Sequence, residues 1–432
     1  MKNFSLAGLC ALALWGCTNL DDAKLTSRET FMHFYEGANN FVAASAAITD
    51  DGYVLAGTVA ITGDSTSTSL IVIKTDVMGQ KEWQTVIGGG SASSIAVYNG
   101  GYIVIGDSIQ YNPDSGTISE LENDASRLIY LDMDGNVTKD VSFSRKISGQ
   151  QVDYHGDAIT IDKDGNLITL GTYREPGGYE FSYIAALNAS TLDTLWSRNY
   201  NYIQRDYVNA RAVHYNGGNI LWGSSVSSTV GNFSRSYLTV PVIPENSSFV
   251  NSDYFGQYTD QTLLIKDMQA SAASGYGAIG VYSQSDGTRS NVFFIRVDNR
   301  GNFQEENVKY FDGINSEENE AIGDPALSES EDAGEAIGST RDGGYILACT
   351  IETTPRRGNG GKDIWLIRID AFGNPQWNTI LGGPTNETAA SIHETAGGGF
   401  IICGTLQDGN AQTGGLSSMF LIKTNSEGQL TN

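Results

Sequence analysis

The chain has 432 residues and a formal net charge of −24, which argues against a nucleic-acid partner because a phosphate backbone would be repelled. Its 51 Gly, 8 Pro and 21 Tyr, with 40% hydrophobic residues, describe a turn-rich, β-rich chain that can build a core rather than stay disordered. The charge reads most simply as solubility outside the cell, with divalent cations on clustered carboxylates as the alternative.

The first segment is MKNFSLAGLCALALWGC: Lys2, an apolar stretch too short to span a bilayer, then Leu14-Trp15-Gly16-Cys17. It resembles a bacterial lipoprotein signal, which implies cleavage before Cys17 and acylation of that Cys. A secretion signal cleaved elsewhere is the alternative. Residues 1–16 are then a signal peptide, 17–28 the lipidated Cys and a flexible tether, and 29–432 the folded domain. Asp21-Asp22 in the polar tether resembles the surface-export signal of Bacteroidota lipoproteins. That resemblance implies an outer-membrane protein, held by its lipid anchor and facing the cell exterior. Several acyl chains on one Cys anchor stably, each buried methylene adding about 0.8 kcal/mol.

From residue 40 onward one phrase recurs: Gly, an aromatic or apolar run, then Gly-Thr or a close variant. It reads DGYVLAGT (51–58), GGYIVIGD (100–107), DGNLITLGT (164–172), GGNILWGS (217–224), SGYGAIGV (274–281), GGYILACT (343–350) and GGGFIICGT (397–405). Each copy is followed by a second apolar strand, LIVIKTD in the first and YLTVPVI in the fourth. A D-x-x-G or N-x-x-G turn then comes in most copies, at Asp76–Gly79, Asp132–Gly135, Asp298–Gly301, Asp370–Gly373 and Asn425–Gly428. Gly supplies the positive φ and Asp caps its own backbone. An outer strand follows, and a small-residue stretch such as VAASAAIT or AASIHET precedes each Gly phrase.

Four strands repeated seven times predict an all-β, seven-bladed β-propeller of four-stranded blades. The last copy ends at SEGQLTN, where its outer strand is due, while ETFMHFYEG (29–37) precedes the first inner strand. The N-terminal strand is therefore expected to join the last blade, close the ring and cover an open edge. Trp83, Trp196 and Trp377 fall on outer strands and are expected to pack between blades.

AALNASTLDTLWS (185–197) resembles a pyrroloquinoline-quinone-type propeller repeat, and DGGYILACT with DIWLIRIDAFGNPQWNTILGG resembles repeats of Bacteroidota surface propellers. The resemblance implies the fold. Only some copies carry the Trp, so it carries no quinone site, and no cofactor is expected. His33, His155, His214 and His393 fall in different repeats and read as strand histidines satisfied by neighbours. DMDGN (132–136) and DKDGN (162–166) lack the later ligands of a calcium loop and read as hairpin turns, so no metal is assigned. Cys349 and Cys403 lie on opposite faces of matching strands; a bridge between neighbouring blades is possible, and buried free thiols are the simpler reading.

Alternation of strands puts the second-to-third and blade-to-blade connections on one face and the tight turns on the other. Long segments gather on the first face, at 108–126, 172–181, 198–208, 224–235, 253–262, 312–334, 351–362 and 406–418, and function on rigid scaffolds tends to reside in such loops. TYREPGGYEF and SRNYNYIQRDYVNAR place Tyr173, Tyr179, Tyr200, Tyr202 and Tyr207 near Arg174, Arg198 and Arg205. These types are enriched at binding hot spots, although packing of the loops themselves explains Tyr equally well. The stretch 312–336 is acidic without one Lys or Arg and reads as a solvated insertion. The expected function is non-catalytic binding or scaffolding of a glycan, peptide or envelope partner at the long-loop face. The alternative is a glycan-active hydrolase or lyase, whose two carboxylates would converge at the channel mouth.

Overall fold

The computed structural model describes residues 30–431, apart from 38, 61–67, 109–124, 176–177, 201–206, 217–218, 231–232, 240–241, 245–253, 260, 285–289, 300–301, 303–307, 313–331, 353–360 and 409–415. Sheet 1 pairs Asn40–Thr49, Gly52–Ala60, Thr68–Asp76 and Lys81–Gly88 in that order, and sheet 2 pairs Gly90–Tyr98, Gly101–Ser108, Ala125–Asp132 and Val137–Phe143. Sheet 3 runs through Tyr154–Ile161, Leu167–Arg174, Glu180–Leu187 and Thr194–Tyr200. Sheet 5 is Gln261–Ala270, Tyr276–Gln284, Ser290–Val297 and Lys309–Phe311, and sheet 6 is Ala333–Ser339, Tyr345–Glu352, Lys362–Ile369 and Pro375–Leu381. Sheet 7 orders Asn386–Glu394, Phe400–Gln407 and Ser417–Lys423, with Phe31–Tyr35 as its fourth strand. Each inner strand packs on the sheet before it, as in a β-propeller.

The expectation of seven four-stranded blades is corrected to six. The fourth unit, sheet 4, has five strands: Tyr207–Asn216, Asn219–Val230, Phe233–Thr239, Val242–Pro244 and Tyr254–Thr259. Its third strand was expected as one run, YLTVPVI. Instead Phe233–Thr239 and Val242–Pro244 each pair separately with Asn219–Val230. The sequence places Pro241 at the break, and Pro has no N–H for a ladder. Two expected loops are also strand: 224–235 is largely the extended hairpin of sheet 4, and 253–262 holds its outer strand.

The recurring phrase has a packing cause. A bulge in the inner strand swings a carbonyl over the anchor Gly, so a Cβ at Gly57 would lie 2.4 Å from the Val42 carbonyl oxygen and one at Gly106 only 1.9 Å from that of Ser91. The next residue then bonds the following sheet. Thr58 Oγ1 accepts from the Ala92 N–H (3.2 Å), Asp107 Oδ1 from Gly156 (2.9 Å) and Thr405 Oγ1 from Ala43 (2.9 Å). Each bond satisfies a backbone donor that the bulge leaves unpaired.

The D-x-x-G turns also join neighbours. Asp132 Oδ1 accepts from the N–H of Asp134 (3.0 Å) and Asn136 (2.8 Å), while Gly135 takes φ +81°. A side chain at Gly135 would collide with the Trp83 ring of the preceding blade, and one at Gly428 with Trp377. Trp83 Nε1 donates to the Met133 carbonyl (2.9 Å). Turn and outer-strand Trp are thus one contact, made by Gly135 with Trp83 and again by Gly428 with Trp377. Trp196 likewise lies on the outer strand of sheet 3, beside Val213 and Trp222 of sheet 4.

Phe31–Tyr35 pairs along Ser417–Lys423, with Phe31 opposite Lys423 and Tyr35 opposite Met419. Phe31 and His33 lie over Gly79, where other blades place Trp. Cys349 and Cys403 are both buried and free. Cys349 faces sheet 5 and Cys403 faces sheet 1, so each points away from the other. The possible bridge is corrected by that geometry.

Candidate functional site

Each inner strand carries one bulge, between Ala43/Ser45, Ala92/Ser94, Gly156/Ala158, Ala210/Ala212, Ile265/Asp267, Gly334/Ala336 and Ala389/Ser391. The extra residues are Ala44, Ser93, Asp157, Arg211, Lys266, Glu335 and Ala390. A bulge re-aims its residue. Here all but Arg211, whose side chain lies outside the described residues, line one cavity of 440 Å³ on the axis. That volume lies in the range of small-molecule sites. The lining runs from Val42, near the loop-face start of the first inner strand, to Gln269 and His393, next to the short-turn ends of theirs, so the cavity extends along the channel.

The wall is two-sided. Sheets 3, 5 and 6 contribute Asp157, Lys266 and Glu335, whereas sheets 7, 1 and 2 contribute Ala390, Ala44 and Ser93. Lys266 Nζ lies 3.5 Å from Glu335. Asp267 stands beside them, accepting from its own N–H neighbour Met268 (2.8 Å) and from Ile337 of the next sheet (3.0 Å). Burial pushes the Asp267 carboxyl up to about 7 against those two hydrogen bonds. His393 sits on the opposite wall with Nε2 2.8 Å from the Ala46 carbonyl. Burial holds it below the usual His range. Such a wall can receive a small polar group that needs both donor and acceptor on one side and close approach on the other.

Sequence reasoning missed this ring. Aligning the seven copies on their anchor residue would have found it, because the charged residues recur at a near-constant distance upstream. It also missed the hairpin Arg145–Ile147/Gln150–Val152 on the loop face, whose Ser148 and Gly149 both have positive φ.

That hairpin explains what becomes of the aromatic patch. Tyr173 is 3% exposed, stacks on Phe181 with ring centroids 5.2 Å apart, and lies under the Arg145 guanidinium at 4.3 Å. Arg145 Nη1 also donates to Asn199 Oδ1 (2.8 Å). Arg174 is paired with Glu180. Tyr179 stands out at 51% exposure. Arg198 lies on the outer strand of sheet 3, with Nη1 donating to the Ser197 carbonyl (2.8 Å). Tyr200 ends that strand and Tyr207 begins the next inner one, so both come to the same face. Tyr202, Arg205, Cys17, the signal and tether, and residues 313–331 of the acidic stretch lie outside the described residues.

A second place carries buried carboxyls. Asp363 and Glu387 lie at the loop-face end of the seam between sheets 6 and 7, 0% and 5% exposed. Burial raises Glu387, and neighbouring Asp363 raises it further. Glu387 borders an apolar cleft of 170 Å³ with Leu381, Leu406 and Phe34. Each described His meets a neighbour: His33 Nε2 lies 3.0 Å from the Met78 carbonyl, His155 Nδ1 3.2 Å from Asp107, and His214 Nε2 against the Met268 carbonyl. Among the described residues no group of three or more His, Cys, Asp or Glu is placed to hold a metal ion.

No protein-family model matches the chain, and no curated protein matches it in sequence. Among solved structures it is similar to the β-propeller domain of the Trilobed protease from Pyrococcus furiosus, which has an open velcro topology (8% identity, 91% of this chain and 98% of that one, TM-score 0.46). It is also similar to Pyrococcus horikoshii acylaminoacyl peptidase (8% identity, 89% and 51%, TM-score 0.45). A third is Drosophila Plexin A in complex with Semaphorin 1b (9% identity, 91% and 86%, TM-score 0.48).

Proposed function

We propose that the protein is a non-catalytic binding propeller, anchored in the outer membrane through lipid on Cys17 and facing the cell exterior. In this reading the pairing of Phe31–Tyr35 with Ser417–Lys423 closes the ring. The ligand is a polar group of a glycan, peptide or envelope protein. It enters the axial cavity, and the loop face adds Tyr179, Arg198, Tyr200 and Tyr207 as a contact patch, with Tyr202 and Arg205 between the last two in sequence. The observation that carries the reading is the bulge ring, which aims Asp157, Lys266 and Glu335 into one open cavity opposite Ala44, Ser93 and Ala390. Ser93→Trp fills that cavity from its small side. Wild type should capture a probe from a glycan and peptide array that Ser93→Trp does not, at an unchanged melting temperature. Equal capture by both proteins would place the ligand elsewhere.

The alternative, a glycan-active hydrolase or lyase, draws support from buried Glu387, which borders a cleft, and from its buried neighbour Asp363. It requires that array glycans be cleaved by wild type and not by Glu387→Gln.

A further inference from the structure

We propose that the short-turn face of the propeller rests on a zwitterionic lipid surface along an arc of sheets 6, 7, 1 and 2. The proposal builds on the anchoring of Cys17, and it starts from where the chain enters the fold. Thr30 Oγ1 donates to the Thr431 carbonyl (2.8 Å) and accepts from the Thr431 N–H (3.0 Å). Phe31 pairs with Lys423, just before the Asn425–Gly428 turn. The tether therefore reaches the domain on the short-turn face, at the boundary of sheets 7 and 1. Residues 18–29 extend at most about 40 Å, so this face is the one that the anchor holds near the bilayer.

The turns on the same side carry apolar residues that the fold does not use. Asp370 Oδ1 accepts from Phe372 N (2.8 Å) and Asn374 N (2.9 Å), and Gly373 supplies φ +85°. Asp and Gly make that turn, and the residue between them is free to be polar. It is Phe372, 68% exposed. Val77 holds the corresponding turn of sheet 1 and Met133 that of sheet 2, while Leu430 follows the turn of sheet 7; all three are exposed. Ile48 and Val97 add exposed side chains at the inner-strand ends of sheets 1 and 2. Sheet 5 has Asp298-Asn299-Arg300-Gly301 at the same place, so the apolar tips flank the entry point rather than encircling the face. Arg296 lies 5.4 Å from the Phe372 ring, a cation at the height of lipid phosphates. The net charge of −24 disfavours an anionic surface, which leaves zwitterionic lipid as the occupant. A few tips bind weakly alone, but a short tether raises their effective concentration. The loop face then points away from the membrane.

The test is depth-dependent quenching. A fluorophore is attached at Phe372→Cys, Val77→Cys or, on the opposite face, Tyr179→Cys; the two native domain thiols are buried. The full chain is reconstituted into phosphatidylcholine vesicles with brominated acyl chains. Quenching at 372 and 77 should exceed that at 179 several-fold, and combining Met133→Ser, Leu430→Ser and Ile48→Ser with either probe should reduce the excess. Equal quenching on both faces, or more at 179, overturns the proposal. In a parallel sample, residues 1–17 are replaced by a polyhistidine tag on nickel-chelating vesicles. If Cys17 carries no lipid but the tagged protein keeps the asymmetry, only the anchoring reading fails; if the tagged protein lacks it, the docking surface fails.

Discussion

The two faces of this propeller are built under different constraints. On the short-turn face, the Gly of the turn is also the floor for an aromatic of the preceding sheet at four places, as Gly135 is for Trp83 and Gly428 for Trp377. A change there disturbs two sheets at once. On the loop face the connections differ from sheet to sheet in length and chemistry, from the Arg145–Val152 hairpin to the acidic stretch after Phe311. Regularity therefore marks structure here, and irregularity marks the side free to acquire a ligand.

The strongest way to break that contrast is to remove the one outer strand that comes from the other end of the chain. Deleting 29–37 takes away Tyr35 and Phe31, whose rings sit in the seam with sheet 1, and bares a strand edge. A loss of roughly 4–6 kcal/mol in denaturant unfolding, with aggregation, is expected from the lost aromatic packing. Deleting 18–27 should change little. Equal stability of the two truncations would mean that the strand is not a staple.

Gly106→Ala sharpens the account of the recurring phrase. Its Cβ would overlap the Ser91 carbonyl oxygen at 1.9 Å, so the bulge must shift at a cost of about 3 kcal/mol or more. At Gly88, on a strand end with open space around it, the same substitution should stay within about 0.5 kcal/mol. Chemical unfolding midpoints of the two variants decide it, and similar losses would remove the packing explanation.

Asp267 tests the channel itself. Its folded pKa is raised to about 7 above an unfolded value near 3.9, so between those limits the folded state holds more protons. Stability from this group is full below the unfolded value and is lost as pH rises through 7. Wild type should thus lose stability relative to Asp267→Asn from pH 5 to pH 8, by on the order of 2–4 kcal/mol. Thermal melts across that range check it, and parallel curves would show the carboxyl to be solvated.

The strands were legible because their cause is local and repeated. Gly57, Gly106 and Gly404 recur where an inner-strand carbonyl passes too close for a Cβ, and Thr58 and Thr405 recur where a bulged N–H needs an acceptor. Sheet 4 defeated the count because Pro241 splits a strand that hydropathy alone shows as continuous. The patch at Tyr173 was visible as composition, but its burial depends on a hairpin from the preceding connection. The ring of Asp157, Lys266 and Glu335 stayed hidden because each stands in a different inner strand, far from the others in sequence. Only the shared bulge turns them into a site.

The central claim, that binding belongs to the loop face, is tested most directly by paired loss-of-capture on the glycan and peptide array. The double variant Tyr179→Ala/Tyr202→Ala should lose about 2 kcal/mol or more of binding, a fall of roughly thirtyfold in affinity, while its melting curve moves little. The matched variant Asn136→Ala/Asn374→Ala alters turns on the opposite face and should capture the same probe as wild type. Undiminished capture by the tyrosine variant, or loss confined to the asparagine variant, would contradict the account.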